Sequence, residues 1–211
     1  MVDPLKNDFI SNIAHYYSEK LERFGATPQG VDWNGDASQA LRFCQLSKII
    51  QPSTHFSIND LGCGYGALYD FLTSQYQNFS YSGFDISTDM VTAAKMIYKN
   101  NNNVDFKHSE KIDTTSDYSV ASGLFNVRLD QSDQNWDAYI KETLSMLNLN
   151  SRLGFAFNCL TSYSDSEKMR NHLYYANPNE LFDFCKRQYS RNIALLHDYD
   201  LYEFTILVRK F

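Results

Sequence analysis

The stretch INDLGCGYGAL, residues 58–68, decides the fold, because a short apolar run in it stops at a series of alternating glycines. Gly62, Gly64 and Gly66 follow an acidic residue, Asp60, and the next residues, ALYDFLTSQY, have a helical pattern. Glycine adopts turn geometries that other residues avoid, and without a Cβ it lets a ligand approach the backbone. The pattern therefore predicts a strand, a ligand-binding loop and a helix in succession.

A second acidic residue indicates the kind of ligand. Asp85 ends the next predicted strand, FSYSGFDIS. A carboxylate at that position accepts hydrogen bonds from both hydroxyls of a ribose. The glycine loop and the strand-terminal acid together predict a ligand that contains a nucleoside. The alternative is a tight strand-to-helix turn with two incidental aspartates.

Strand and helix patterns alternate along the rest of the chain. NVDFKHS, YSVASGLFNV and SRLGFAFNCL are predicted strands, and TDMVTAAKMIYKN, NWDAYIKETLSMLN and NPNELFDFCKRQY are predicted helices. The chain ends with RNIALLHDY and LYEFTILVRKF, which leave no room for a helix between them and must pair as an antiparallel hairpin. This order predicts an α/β fold, with a doubly wound, mostly parallel sheet whose last strand is antiparallel.

Two nucleoside ligands compete for the predicted site. NAD would place its pyrophosphate on a loop of the form G-x-G-x-x-A, which the sequence also matches. S-adenosylmethionine has no phosphate and carries an ammonium group and a sulfonium. Asp60 would repel a pyrophosphate but suits a cationic ligand, and the terminal hairpin departs from the all-parallel sheet of the usual dinucleotide fold. Both features favour S-adenosylmethionine.

The motifs INDLGCGYG and GFDIS resemble the first motif and the following acidic strand end of class I S-adenosylmethionine-dependent methyltransferases. The resemblance runs from about Phe56 to the C-terminus. It implies a seven-stranded, Rossmann-like sheet with an antiparallel last strand, and S-adenosylhomocysteine as the product formed from the cofactor. The motif specifies the cofactor and carries no information on the methyl acceptor.

The resemblance also implies roles for individual residues. Asp60 and the backbone of Leu61, Gly62, Cys63 and Gly64 would lie along the methionine part of the cofactor. Asp85 would hold the ribose, Ile86 and Met90 would pack near the adenine, and residues 110–112 would face the adenine amine. Leu124, Phe125 and Asn126, at the end of the fourth strand, would face the transferring methyl group.

Residues 1–52 are predicted as a helical cap over a cofactor-binding core of residues 53–211, the two forming a single methyltransferase domain. Arg42 in the cap either pairs with the cofactor carboxylate or is a solvated helix charge. Tyr16, Tyr17 and Trp33 either close over cofactor or substrate or, in the case of the tyrosines, fill the core. His15 is the candidate general base, and residues 161–177 form either a substrate lid or a plain surface segment.

The composition limits the kinds of ligand and partner that the protein is expected to bind. The formal net charge of −6 weighs against nucleic acid, which needs a basic surface. Cys44, Cys63, Cys159 and Cys185 form no C-x-x-C pair, so no metal site is expected and the thiols fit a reducing compartment. No signal peptide or bilayer-spanning run is evident, so we expect a cytoplasmic protein without membrane association.

These observations predict a methyltransferase that acts on the oxygen or nitrogen of a small molecule. The Asn-Pro-Pro-Tyr or Asp-Pro-Pro-Tyr tetrapeptide of amino-methylating nucleic-acid and glutamine methyltransferases is absent, as is the Pro-Cys of cytosine C5 methylation. Two alternatives stay open at this point. One is an NAD-dependent oxidoreductase, and the other is a module that binds S-adenosylmethionine without turnover.

Overall fold

The computed structural model describes residues 4–51 and 55–210, which form helices on both sides of one sheet. The helices of these residues are α1 (Pro4–Phe24), α2 (Asp36–Ser47), α3 (Ala67–Gln75), α4 (Thr88–Ile97), α5 (Asp133–Leu149) and α6 (Pro178–Gln188). The strands are β1 (Phe56–Leu61), β2 (Phe79–Asp85), β3 (Val104–His108), β4 (Ser116–Ala121), β5 (Ser151–Leu160), β6 (Asn192–Leu196) and β7 (Glu203–Arg209). Short 3-10 turns lie at Pro28–Val31 and Ser166–Lys168.

The strands form a seven-stranded sheet in the order β3-β2-β1-β4-β5-β7-β6. β1 pairs in parallel with both β2 and β4, so the strand order reverses between β1 and β4. β7 is inserted between β5 and β6 and runs antiparallel to both. The predicted α/β fold with its antiparallel last strand is confirmed, and the reversal creates a crevice at the carboxyl ends of β1 and β4.

Two apolar clusters cover the two faces of the sheet. One face packs against α1, α5 and α6, with Trp136 and Ile140 fully buried at its centre. The other packs against α2, α3 and α4, with Leu46 and Leu72 fully buried. Helices on both faces are what a mostly parallel sheet requires, because both of its surfaces are apolar.

The end of β4 differs from the sequence prediction. The predicted strand runs to Val127, whereas the observed strand stops at Ala121. Gly123 has a φ of 70°, which breaks the extended backbone, and Asn126 donates its N–H to the Gly123 carbonyl in a turn. Leu124, Phe125 and Asn126 therefore lie in a turn beyond the strand.

The predicted division between cap and core, at residues 52 and 53, lies outside the described residues, and the domain assignment stays a prediction. Both cap helices contribute to the core, with Phe9 and Ile13 of α1 in one apolar cluster and Phe43 and Leu46 of α2 in the other. In the described part of the chain, no helix has the length and apolar character to cross a bilayer.

Candidate functional site

The glycine loop begins directly after β1 and folds back onto the end of β2. The N–H groups of Gly62 and Cys63 donate to the carbonyl of Phe84 at 2.7 and 3.1 Å. Gly64 has a φ of 53°, and its N–H donates to Asp85 Oδ2 at 2.8 Å. A side chain at residue 64 would be strained by this φ and would approach Val31 Cγ1 to 3.2 Å. Glycine at residue 64 therefore allows this loop conformation and its close packing against Val31.

Asp85 is fixed by its neighbours at the carboxyl end of β2. Its Oδ1 accepts the Ser87 N–H at 2.8 Å, while its Oδ2 accepts the Gly64 N–H. The side chain is 8% exposed, and burial raises its pKa while the backbone donors oppose that rise. A carboxylate has about four lone-pair positions, so acceptor capacity is left for ligand hydroxyls.

Asp60 presents a buried acceptor without a partner. The residue is 2% exposed, and its Oδ2 accepts the Tyr81 hydroxyl at 2.5 Å. Its Oδ1 has no hydrogen-bond partner among the described residues. Burial raises the pKa of Asp60 to about 7, against the lowering effect of the Tyr81 hydrogen bond. An unpartnered buried carboxylate oxygen is costly, so the site suits a ligand that brings a donor, above all a cationic one.

A cavity of about 390 Å³, which we call the glycine-loop cavity, lies over these groups. Most of the predicted cofactor residues lie on its wall. These are Asp60, Leu61, Gly62, Cys63, Gly64, Asp85, Ile86, Met90 and Leu124. Ser109, Glu110 and Lys111 lie on the wall beyond β3, near the position expected for the adenine contact.

A second cavity of about 670 Å³, the cap cavity, lies between the N-terminal cap and residues 161–177. Tyr16 and Asn126, both predicted to contact substrate, line it. Tyr17 and Trp33 line both cavities, as do Val31 and Gly123. These four residues form a wall shared by the two cavities.

Tyr16 donates its hydroxyl to Asp32 in the cap cavity. Burial raises the pKa of Tyr16, and this hydrogen bond raises it further.

The predicted role of Arg42 is not supported by its position. Its guanidinium is held by Glu203, with Nε and Nη2 both 2.8 Å from Oε1. Arg42 lines the cap cavity and does not line the glycine-loop cavity. The sequence could not reveal this partner, because Glu203 follows 161 positions later.

Two further predicted residues lie away from both cavities. The His15 side chain is 75% exposed and pairs with Glu19 on the outer face of α1, so it is not placed to act as a base. Phe125 is fully buried in the core, where its ring contacts Tyr139 and Phe157. Its aromatic character directs it inward, while its neighbour Leu124 lines the glycine-loop cavity.

Sequence reasoning missed Asn158 and Glu203, which are buried polar residues in β5 and β7. Asn158 Oδ1 accepts the Gly123 N–H at 2.7 Å, and its Nδ2 donates to Glu203 Oε2 at 2.6 Å. The available signal was a polar residue inside each of the apolar strands SRLGFAFNCL and LYEFTILVRKF.

Among the described residues, no group of His, Cys, Asp and Glu has the arrangement of a metal site.

The fold and this site define a methyltransferase. A family model described as a methyltransferase domain matches residues 58–150. The Mycobacterium tuberculosis (strain ATCC 25618 / H37Rv) protein Rv1506c, named as a candidate methyltransferase, is 58% identical over 163 residues, which are 77% of this chain and 98% of that protein. The chain belongs to the class I S-adenosylmethionine-dependent methyltransferases. It is an enzyme of that family, and S-adenosylmethionine is its cofactor.

Solved structures share the fold at low sequence identity. The DhpI-SAM-HEP complex superposes with a TM-score of 0.66 at 14% identity, over 95% of this chain and 97% of that chain. The DhpI-SAH complex gives a TM-score of 0.64 at 15% identity, over 95% and 96% of the two chains. The oxidoreductase hypothesis rested on the G-x-G-x-x-A match, and a last strand parallel to its neighbours would have favoured it. β7 is antiparallel to both neighbours and gives it no such support.

Proposed function

We propose that this enzyme methylates a small molecule bound in the cap cavity, next to a cofactor held over the glycine loop. The observation that carries the proposal is the wall of Tyr17, Val31, Trp33 and Gly123 that the two cavities share. A volume of about 670 Å³ lies within the usual range of about 300–1,000 Å³ for small-molecule sites.

The charges on the cap cavity support a small acceptor over a polynucleotide. Its charged residues are of mixed sign, and several are already paired with each other. They are Lys20, Arg42, Lys168 and Arg170, against Asp32, Asp200 and Glu203. A nucleic-acid surface needs a continuous excess of basic side chains, which these residues do not provide.

The residues of the glycine-loop cavity fit the cofactor. Asp60 Oδ1, buried and unpartnered, would accept from the ammonium group, and the Asp85 carboxylate would accept from the ribose hydroxyls. Ile86 and Met90 would form the apolar contacts to the adenine. S-adenosylmethionine supplies an activated methyl group on a sulfonium. The chain's part is mainly to align an acceptor atom with that methyl group.

Proton removal from the acceptor is the remaining step. His172 is on the wall of the cap cavity, where its ring lies 6.4 Å from the ring of Tyr16. It replaces His15 as the candidate base, because a base must reach the acceptor proton. An oxygen or nitrogen acceptor is consistent with a histidine at this position. The cytoplasmic location expected from the sequence stays a prediction.

The test is formation of S-adenosylhomocysteine by the purified full-length chain, measured by mass spectrometry. One arm offers a panel of small hydroxyl and amine compounds, and parallel arms offer transfer RNA, duplex DNA and unfolded protein. We expect product and a methylated compound in the first arm alone. Methylation confined to a macromolecular arm would overturn the proposal of a small-molecule acceptor.

A further inference from the structure

A buried ion pair joins the N-terminal cap to the last strand. Glu203 is 1% exposed and Arg42 is 5% exposed. Arg42 Nε donates to both carboxylate oxygens of Glu203, at 2.8 and 2.9 Å, and its Nη1 donates to the Ser38 carbonyl at 2.8 Å. Burying two charges costs desolvation energy that their attraction often fails to recover. The pair therefore calls for an explanation other than stability.

Two arms extend from this ion pair to Trp33 and Gly123 on the wall of the glycine-loop cavity. On one side, the Arg42 guanidinium carbon lies 4.0 Å from the ring centroid of Trp33, a cation–π geometry. On the other side, Glu203 Oε2 accepts from Asn158, and Asn158 accepts the Gly123 N–H. The arms meet, because a Cβ on Gly123 would lie 2.4 Å from two ring atoms of Trp33. Arg42, Trp33, Gly123, Asn158 and Glu203 thus close a ring, which we call the Glu203 ring.

The ring lies where the two cavities adjoin. Trp33 and Gly123 belong to the shared wall, while Arg42 and Glu203 line the cap cavity alone. Both carboxylate oxygens of Glu203 already accept hydrogen bonds from Arg42, and Oε2 also accepts from Asn158. Glu203 is thus engaged as an acceptor on both oxygens, and a role as general base does not fit this arrangement.

We propose that Glu203 is a positioning residue for methyl transfer, which fixes the shared wall through Arg42 and Trp33 on one side and through Asn158 and Gly123 on the other. The proposal rests on the proposed function in placing the acceptor in the cap cavity. Its effect on the glycine-loop cavity does not depend on the identity of the acceptor, because Trp33 and Gly123 also line that cavity.

The test uses Glu203→Gln and Asn158→Leu in the full chain, with S-adenosylhomocysteine as the probe in titration calorimetry. Glu203→Gln removes the charge that pairs with Arg42, and the NH2 group that replaces one carboxylate oxygen faces a donor of Arg42 or Asn158, so at least one of their hydrogen bonds to residue 203 is lost. Asn158→Leu breaks the second arm alone, and it decides the question where Glu203→Gln fails to fold. Thr205→Val is the matched control, since Thr205 is equally buried in β7 and shares a hydrogen bond with Tyr199 outside the ring.

We expect the dissociation constant for S-adenosylhomocysteine to rise roughly tenfold in both ring variants and to stay within about twofold in Thr205→Val. The fluorescence of Trp33, obtained by difference from Trp33→Phe, should respond to the probe in the wild type and lose most of that response in the ring variants. Unchanged affinity in folded ring variants would overturn the proposal, as would an equal loss in Thr205→Val. Failure of the acceptor panel would instead count against the proposed function alone.

Discussion

The two cavities are built in different ways. In the glycine-loop cavity, the linking contacts join residues close in sequence, as Gly64 and Asp85 or Tyr81 and Asp60 are each 21 positions apart. On the cap side, Arg42 and Glu203 are 161 positions apart. These contacts of the glycine-loop cavity thus depend on one local strand–loop–helix unit and its neighbour, whereas those of the cap cavity depend on segments brought together by the whole fold.

The largest effect is expected from Asp85→Ala, which removes the carboxylate that accepts the N–H groups of Gly64 and Ser87. Two charge-assisted hydrogen bonds that hold the loop, each worth about 1.5–3 kcal/mol, are lost along with the ribose contact of the proposed function. We expect affinity for S-adenosylhomocysteine in calorimetry to fall roughly a hundredfold or more. Asp89→Ala, an exposed change in the first turn of α4, is the control. Comparable losses in both variants would show that the local unit does not set affinity.

An intermediate and pH-dependent effect is expected at Asp60, because burial raises its pKa to about 7. In the proposed function the ionised carboxylate accepts from the ligand ammonium, so wild-type affinity for S-adenosylhomocysteine should rise about tenfold between about pH 6 and about pH 8. Asp60→Asn should bind more weakly at the higher pH and show a flat profile. Calorimetry at both pH values checks this, and a parallel pH dependence in the two proteins would exclude Asp60 as the titrating group.

The same pKa shift has a consequence for the stability of the free protein. The folded carboxyl titrates near 7, well above its usual value of about 3.8, so the folded state holds the proton over this interval. The free energy of unfolding therefore falls as pH rises between these values. Denaturant melts should show a smaller fall in Asp60→Asn. Identical slopes would contradict the assignment.

The smallest effect on cofactor binding is expected in the part of the cap cavity that lies outside the Glu203 ring. Arg170 lines the cap cavity, and its Nη1 donates to the backbone carbonyls of Glu167 and Met169. Arg170→Ala should leave affinity for S-adenosylhomocysteine within about twofold and raise the KM of an acceptor identified in the panel. Arg187→Ala, on the exposed surface of α6, is the matched control and should change neither quantity. A loss of cofactor affinity in Arg170→Ala alone would show that the cap cavity affects cofactor binding outside the Glu203 ring as well.

Features that depend only on residues near each other in sequence, such as helix caps and strand ends, could be predicted from the sequence. The Ser87 side chain accepts the Met90 N–H at the start of α4, as expected of a serine that directly precedes a helix. Asp85 was expected at the end of β2, where it is found, because strand and helix periodicity fixes such positions. These predictions needed only neighbouring residues.

The partner of Arg42 could not be predicted in this way. A basic residue on a helix carries no sign of its partner, and the partner is set by how β7 enters the sheet beside β5. Phe125 shows a second limit, since the turn after Gly123 decides which side of the chain faces the cavity. Both outcomes depend on tertiary contacts that no sequence period encodes.

The Glu203 ring also sets an order of assembly during synthesis. Arg42 leaves the ribosome 161 residues before Glu203, so the early helix has no carboxylate to receive it until β7 is made. A nascent chain can form the strand–loop–helix unit from nearby residues, but contacts of such long separation form late. The wall between the two cavities is therefore completed only when β7 joins the sheet, so the helix that carries Arg42 waits for a partner made 161 residues later.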